Sequence, residues 1–291
     1  MVRKTILITG SSGHVGFHLS SLLSPFHNII TLSKSNKKAT ICTDITLLTP
    51  AQIHKIYDDF SIDTVIHCAG HTDPKKQEEV SFNVFSFAKF LVKENIRHIV
   101  LGSVAEYGEL KGTVSESTNE HPISLYGVSK LFQERVARYY FEERKDDIVY
   151  MRISNILMPY GRSGSLIESI FRASEQSNYT VAISNSHIAR DYIDVRDVAH
   201  AIMRIISASS PSFLYNVSSG KQTTYEKLLH DFRIIWQDNC DKPFPRILLS
   251  GKPESFCEGI YTIRKGENEL GWKPVYSLRE SIHWMIKQRY E

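Results

Sequence analysis

The chain has 291 residues, 42% hydrophobic and 11% aromatic, and its 35 lysines and arginines against 32 acids leave a net charge of +3. That is too apolar for a disordered chain, and too evenly charged to argue for a nucleic-acid surface. No run reaches the roughly 18 to 20 apolar residues of a membrane span, and Thr9-Gly10 cuts the N-terminal run Ile6-Leu7-Ile8 too short for a signal peptide.

In chain order, the pattern predicts a strand over 5–9, a helix over 15–23, strands over 28–32 and 39–42, a helix over 50–60 and a strand over 64–68. A long helix over 78–94, a strand over 98–102, a helix over 125–143 and a strand over 148–153 complete the series. Strands spaced by helices mean βαβ units, hence an α/β fold with a doubly wound parallel sheet of the Rossmann type. Past residue 153 the rhythm breaks at Pro159-Tyr160-Gly161-Arg162-Ser163-Gly164. A helix near 166–176, a strand near 180–183 and a helix over 195–206 follow, and Pro243, Pro245, Gly251 and Pro253 interrupt the tail. The expected division is a dinucleotide-binding domain over 1–153, to which segments near 188–218 return, and a smaller irregular α/β substrate lobe over 154–291. Such a lobe would cover the carboxyl ends of the strands, where open α/β sheets bind ligands.

Gly10-Ser11-Ser12-Gly13-His14-Val15-Gly16 lies between the first strand and first helix with spacing G-x-x-G-x-x-G. Glycines there allow a tight turn and close approach of a pyrophosphate to helix N-terminal amides. A plain tight turn uses the same residues. The second strand ends in Ser33-Lys34 where NAD-binding chains carry an acid. A hydroxyl beside a lysine suits a 2′-phosphate, which favours NADP over NAD. An ordinary polar loop with Lys34, Lys37 and Lys38 in solvent accounts for it as well.

Tyr126 and Lys130 stand at i and i+4 on one helical face. An ammonium near a phenol favours the phenolate, so the pair predicts a lowered phenol pKa and proton exchange near neutrality. Ser103 falls at the carboxyl edge of a core strand, near that pair. It serves equally as a strand-ending serine bonded to nearby backbone.

With these residues together, the chain resembles an extended short-chain dehydrogenase/reductase of the nucleotide-sugar epimerase/dehydratase group. Further matches are Thr43-Asp44-Ile45, His67-Cys68-Ala69-Gly70, Ser103 four residues before Tyr107-Gly108, and Glu116 followed by Pro122. Later ones are Met151-Arg152-Ile153-Ser154-Asn155, Tyr160-Gly161, the run from Arg190 to Ala199, Tyr215-Asn216-Val217, and Leu270-Gly271-Trp272-Lys273-Pro274. The resemblance implies adenine contact at Asp44 and Ile45, and a cofactor-lining segment at Cys68, Ala69 and Gly70. It further implies that Ser103 and Tyr126 bond a substrate oxygen while Lys130 orients the nicotinamide ribose. Asn155, Arg162 and Arg190 would then face the diphosphate of a nucleotide-linked sugar, where an arginine fork pairs with phosphate oxygens. Arg190 could instead pair with Asp191 or Asp194.

Dehydratases of this group carry an Asp-Glu pair after the catalytic hydroxyl; here Val104 and Ala105 stand there, which argues against dehydration. The group often has histidine where Asp194 stands. Short members are often reductases of 4-keto-6-deoxy sugar nucleotides, so the reading is an NADP-dependent 4-keto reductase with Tyr126 as proton donor. The alternatives are a 4-epimerase using the same Ser-Tyr-Lys set and a non-catalytic dinucleotide sensor on the same fold. Cys42, Cys68, Cys240 and Cys257 form no C-x-x-C pair and read as reduced thiols of a cytoplasmic protein; with the scattered histidines, they predict no metal site. Phe82, Phe85, Phe87 and Phe90 are too dense for one face of a helix over 78–94. They suit the group's homodimer interface, formed by this helix and the 125–143 helix, or burial under a loop.

Overall fold

The computed structural model describes residues 2–176, 180–183, 188–249 and 259–291. Cys257, Gly251 and Pro253 lie outside them. Seven parallel strands form the main sheet, in the spatial order Leu214–Val217, Ile148–Ile153, Arg97–Ser103, Thr64–His67, Thr5–Thr9, Asn28–Ser33 and Ile41–Cys42. Ile6, Leu7 and Ile8 are fully buried, as a strand covered by helices on both faces requires. The chain winds outward in both directions from Thr5–Thr9, so the crevice at the strands' carboxyl ends opens beside it.

Local chemistry fixes the helices that matter to the site. The Ser124 hydroxyl accepts from the Gly127 amide at 3.0 Å and starts the helix Leu125–Glu143 immediately before Tyr126. Thr49 and Gln52 close a reciprocal capping box ahead of Pro50–Phe60. The expected long helix over 78–94 is in fact broken: a helix spans Gln77–Phe85 and a short 3₁₀ turn spans Ala88–Phe90. The break lets Phe87 and Phe90 both bury completely against the sheet. The Tyr57 hydroxyl and Lys89 ammonium brace the irregular segment, the first on the Phe90 carbonyl and the second on the carbonyl of Thr46. Crowding of phenylalanines is thus mostly a core effect, and only Phe85 of the four is exposed.

The remaining chain builds over the crevice. Gln222–Thr224, Ala189–Asp194 and Asn155–Leu157 form a three-stranded sheet, and Arg246–Leu249 pairs with Thr180–Ile183. The helices Leu166–Glu175, Tyr225–Asn239 and Leu278–Tyr290 pack Phe171, Phe232, Trp236 and Met285 into a separate core.

Candidate active site

A cleft of about 810 Å³ runs between the strand ends at His67, Ser103 and Ile153 and the segment from Asn155 to Ile167. It gathers His14, Val15, Cys68, Gly70, Ser103, Tyr126, Lys130, Asn155, Arg162 and Arg190 from the residues singled out in the sequence.

The glycine turn abuts this cleft through His14 and Val15. Gly10 has φ +66°, and a Cβ on it would stand 2.7 Å from the Ala69 backbone; one on Gly16 would stand 2.4 Å from the Gly10 carbonyl oxygen. No side chain fits at either place. Gly13 caps the helix His14–Leu23 without a side-chain hydrogen bond, so its N-terminus is open to an anion. The cradle fits the pyrophosphate of a dinucleotide.

Next to it, the Ser12 and Ser33 hydroxyls are 2.6 Å apart. Ser33 is buried and also accepts from the Ser35 and Asn36 amides, so its hydroxyl holds the loop and is not presented to a ligand as expected. Lys34 Nζ lies 2.7 Å from Asp44 Oδ2. That contact, with the Thr46 amide, pushes the Asp44 carboxyl down to about 2. Two residues read separately in the sequence are therefore one ion pair. The Ile45 side chain lies in the core with Leu7 and Ile30, which leaves its backbone as the part that could contact adenine.

Ser103 and Tyr126 both line the cleft, and Ser103 Oγ accepts from the Ala105 amide at 3.1 Å. Lys130 is buried and donates to the Leu101 carbonyl at 2.8 Å and to Gln133 Oε1 at 2.9 Å. Burial pushes the Tyr126 phenol up to about 12, against the pull of Ser103 and Arg162. The expected lowering by Lys130 is therefore corrected: desolvation, aided by the Glu106 carboxyl, outweighs Ser103 and the Arg162 charge. Burial pushes Lys130 down to about 8, opposed by Glu106 and Cys68. The Cys68 thiol is pushed up to about 12 by burial, which suits packing and not nucleophilic chemistry.

On the far wall, the Arg190 guanidinium donates to Asn155 Oδ1 at 3.3 Å. Arg162 reaches across the cleft to the Thr72 carbonyl at 3.4 Å. Asp194 is held by Arg196, whose Nη2 is 2.7 Å from its Oδ2.

Two features escaped the sequence reading. Asn83 bonds the His71 amide at 2.6 Å and carbonyl at 2.8 Å, which fixes the loop after Gly70. Arg152 lies fully buried among Glu106, Glu120 and Glu134 beneath Ser103. An arginine inside a strand buried on both faces must have acidic partners, and that signal was available in Ile148–Ile153. Among the described residues, no three His, Cys, Asp or Glu side chains are grouped to hold a metal ion, and no helix is long and apolar enough to cross a membrane.

A dinucleotide cradle joined to a Ser-Tyr-Lys cleft on a parallel sheet defines the class. Residues 6–218 match the NAD dependent epimerase/dehydratase family, and the chain belongs to it. It is 27% identical to dTDP-4-dehydro-6-deoxyglucose reductase of Escherichia coli, over 81% of this chain and 78% of that one. It is 23% identical to GDP-6-deoxy-D-mannose reductase of Pseudomonas aeruginosa, over 97% and 96%. Its fold matches the structure of RMD from Pseudomonas aeruginosa complexed with NADPH at a TM-score of 0.82, with 21% identity and 98% of both chains covered. Relatives also include a dTDP-L-rhamnose 4-epimerase and a dTDP-D-glucose 4,6-dehydratase.

Proposed function

We propose that the protein is an NADP-dependent reductase of the 4-keto group of a nucleotide-linked deoxy sugar. The observation that carries this is the convergence of Ser103, Tyr126 and Lys130 on one cleft, with the glycine cradle alongside. The dinucleotide supplies the hydride when bound. Tyr126 holds the proton destined for the carbonyl oxygen, and its raised pKa keeps it protonated at neutral pH, as a donor must be. Ser103 offers a hydrogen bond to the same oxygen, and Lys130 places positive charge near the phenolate that remains. Gly10, Ser12, Gly13, His14, Val15 and Gly16 would hold the pyrophosphate, with Lys34 beside the 2′-phosphate. Asn155, Arg162 and Arg190 would face the sugar diphosphate. Val104 and Ala105, beside Ser103, exchange no protons, which supports reduction over dehydration.

The test is loss of NADPH absorbance with purified protein and a panel of nucleotide-linked 4-keto-6-deoxy sugars. Stoichiometric oxidation is expected, and Tyr126→Phe should lower kcat by about 10²- to 10⁴-fold while retaining NADPH binding. Interconversion of 4-epimeric sugar nucleotides without net oxidation would replace this reading with a 4-epimerase. A Tyr126→Phe protein that keeps a ligand-dependent output would point to a sensor.

We also propose a homodimer through the Leu125–Glu143 helix. Leu125, Phe132 and Tyr139 are at least half exposed at a spacing of seven residues, and Phe85 on the neighbouring helix is 55% exposed.

A further inference from the structure

Glu106 has no exposed surface and lies at the end of the short turn that begins at Ser103. Its Oε1 accepts from the Ser103 amide at 2.8 Å and from the Tyr150 hydroxyl at 3.0 Å. That hydroxyl also lies 2.9 Å from the Lys130 carbonyl oxygen, in the first turns of the helix that carries Tyr126. The other oxygen accepts from Arg152 Nε at 3.3 Å, and the same Nε donates to Glu134 Oε2 on that helix at 2.7 Å. One side chain therefore grips the strand end bearing Ser103 and, through Tyr150 and the Arg152–Glu134 pair, the helix bearing Tyr126 and Lys130. Ser103 and Tyr126 come from different elements, a strand end and a helix start, and a shift of one ångström between them would misplace both hydroxyls against a substrate oxygen.

We propose that Glu106 is a positioning residue that clamps the Ser103 strand end to the Tyr126–Lys130 helix and so sets how the Ser103 and Tyr126 hydroxyls are placed in the cleft. The clamp needs an acceptor toward Ser103 and Tyr150 and a neutral or donating group toward Glu134. Two carboxylates side by side would repel each other, and burial together with Glu134 keeps the Glu106 proton on well above the usual carboxylate range. Glutamine keeps the acceptor toward Ser103 and Tyr150 and stays neutral beside Glu134, giving up only the contact with Arg152 Nε. Alanine satisfies none of these demands.

This inference rests on the reductase reading for its kinetic test, which compares Glu106→Gln, Glu106→Ala and Tyr150→Phe with the wild type on a nucleotide-linked 4-keto sugar. Glu106→Ala should lose at least 30-fold in kcat, with KM and the NADPH Kd within threefold of wild type; Glu106→Gln should stay within fivefold. A loss confined to Tm, a change confined to KM, or a Glu106→Ala kcat within threefold of wild type would overturn the clamp. If Glu106→Ala does not fold, Tyr150→Phe decides, since it cuts the tie to the helix and leaves Ser103 held. About tenfold loss of kcat supports the proposal, and none overturns it. If the wild type reduces no such sugar, the functional reading fails, and the clamp is then judged by amide hydrogen exchange at Ser103. Exchange at least tenfold faster in Glu106→Ala and restored in Glu106→Gln supports it, and unchanged exchange sinks it.

Discussion

The ring of Tyr150 occupies the space that a side chain on Gly102 would need: a Cβ there would lie 2.1 Å from Tyr150 Cε1. The two residues sit on neighbouring parallel strands, where Gly102 pairs with Arg152. Because residue 102 is glycine, the tyrosine can lie across the sheet and deliver its hydroxyl to the Lys130 carbonyl. Gly102→Ala must therefore displace a fully buried ring. We expect a destabilisation of about 1–3 kcal/mol in urea unfolding, together with a lower kcat. An unchanged unfolding midpoint would show that the ring can move freely.

Lys34 is 77% exposed, and Asp44, its partner, only 19%. The lysine is accordingly the mobile member and can leave the pair for a phosphate. Lys34→Ala should weaken NADPH by about 10-fold and NADH by less than twofold, in line with one charge-assisted hydrogen bond. Asp44→Asn releases the lysine and should raise the preference for NADPH. Fluorescence titration with both dinucleotides checks the pair, and equal losses for both cofactors with Lys34→Ala would remove the lysine from the 2′-phosphate.

His67 Nε2 and His98 Nδ1 lie 3.1 Å apart in the interior, stacked and fully desolvated. Burial pushes His98 down to about 3 from its ordinary 6.5. A histidine depressed in the folded state binds fewer protons there than in the unfolded chain below pH 6.5. Its stabilising contribution is thus complete above about pH 6.5 and declines as pH falls toward 3. At pH 5 the decline is roughly 2 kcal/mol for one such group. Urea unfolding at pH 7.5 and pH 5 should show the wild type losing about that much more than His98→Asn; identical losses would mean the pair is not buried neutral.

The exposed stripe on the Leu125–Glu143 helix carries its own test. Phe132→Glu should convert a dimer to a monomer in light scattering while leaving the circular dichroism spectrum intact. A wild type that elutes as a monomer at micromolar concentration would end the proposal.

Most of the central sheet is legible in the sequence, because its inner strands are short apolar runs such as Ile6-Leu7-Ile8 separated by helical stretches. The break at Ser86 and Phe87 is not, since its cause is a sheet surface distant in sequence. Gln222–Thr224 and Ala189–Asp194 are not legible as strands for a related reason: each is defined by a partner elsewhere, and the buried positions of the second include Asp191 and Asp194, which read as polar. The helices Tyr225–Asn239 and Leu278–Tyr290 form despite the prolines of the tail, each started by a hydroxyl cap, Thr224 and Ser277. At the site, residue type and spacing exposed Ser103, Tyr126 and Lys130. They were silent on direction: Lys130 turns toward Leu101 and Gln133, and Ser33 turns inward.

The strand Leu214–Val217 closes one flank of the sheet by pairing with Ile148–Ile153, and Asn216 there accepts from the Tyr107 hydroxyl. A chain still on the ribosome, or cut short before this stretch, carries all six other strands of the sheet but leaves Ile148–Ile153 with a bare apolar edge. Such an edge is a template for another chain's backbone. Synthesis of the last quarter of the molecule therefore decides whether the nascent sheet closes this edge or offers it to another chain.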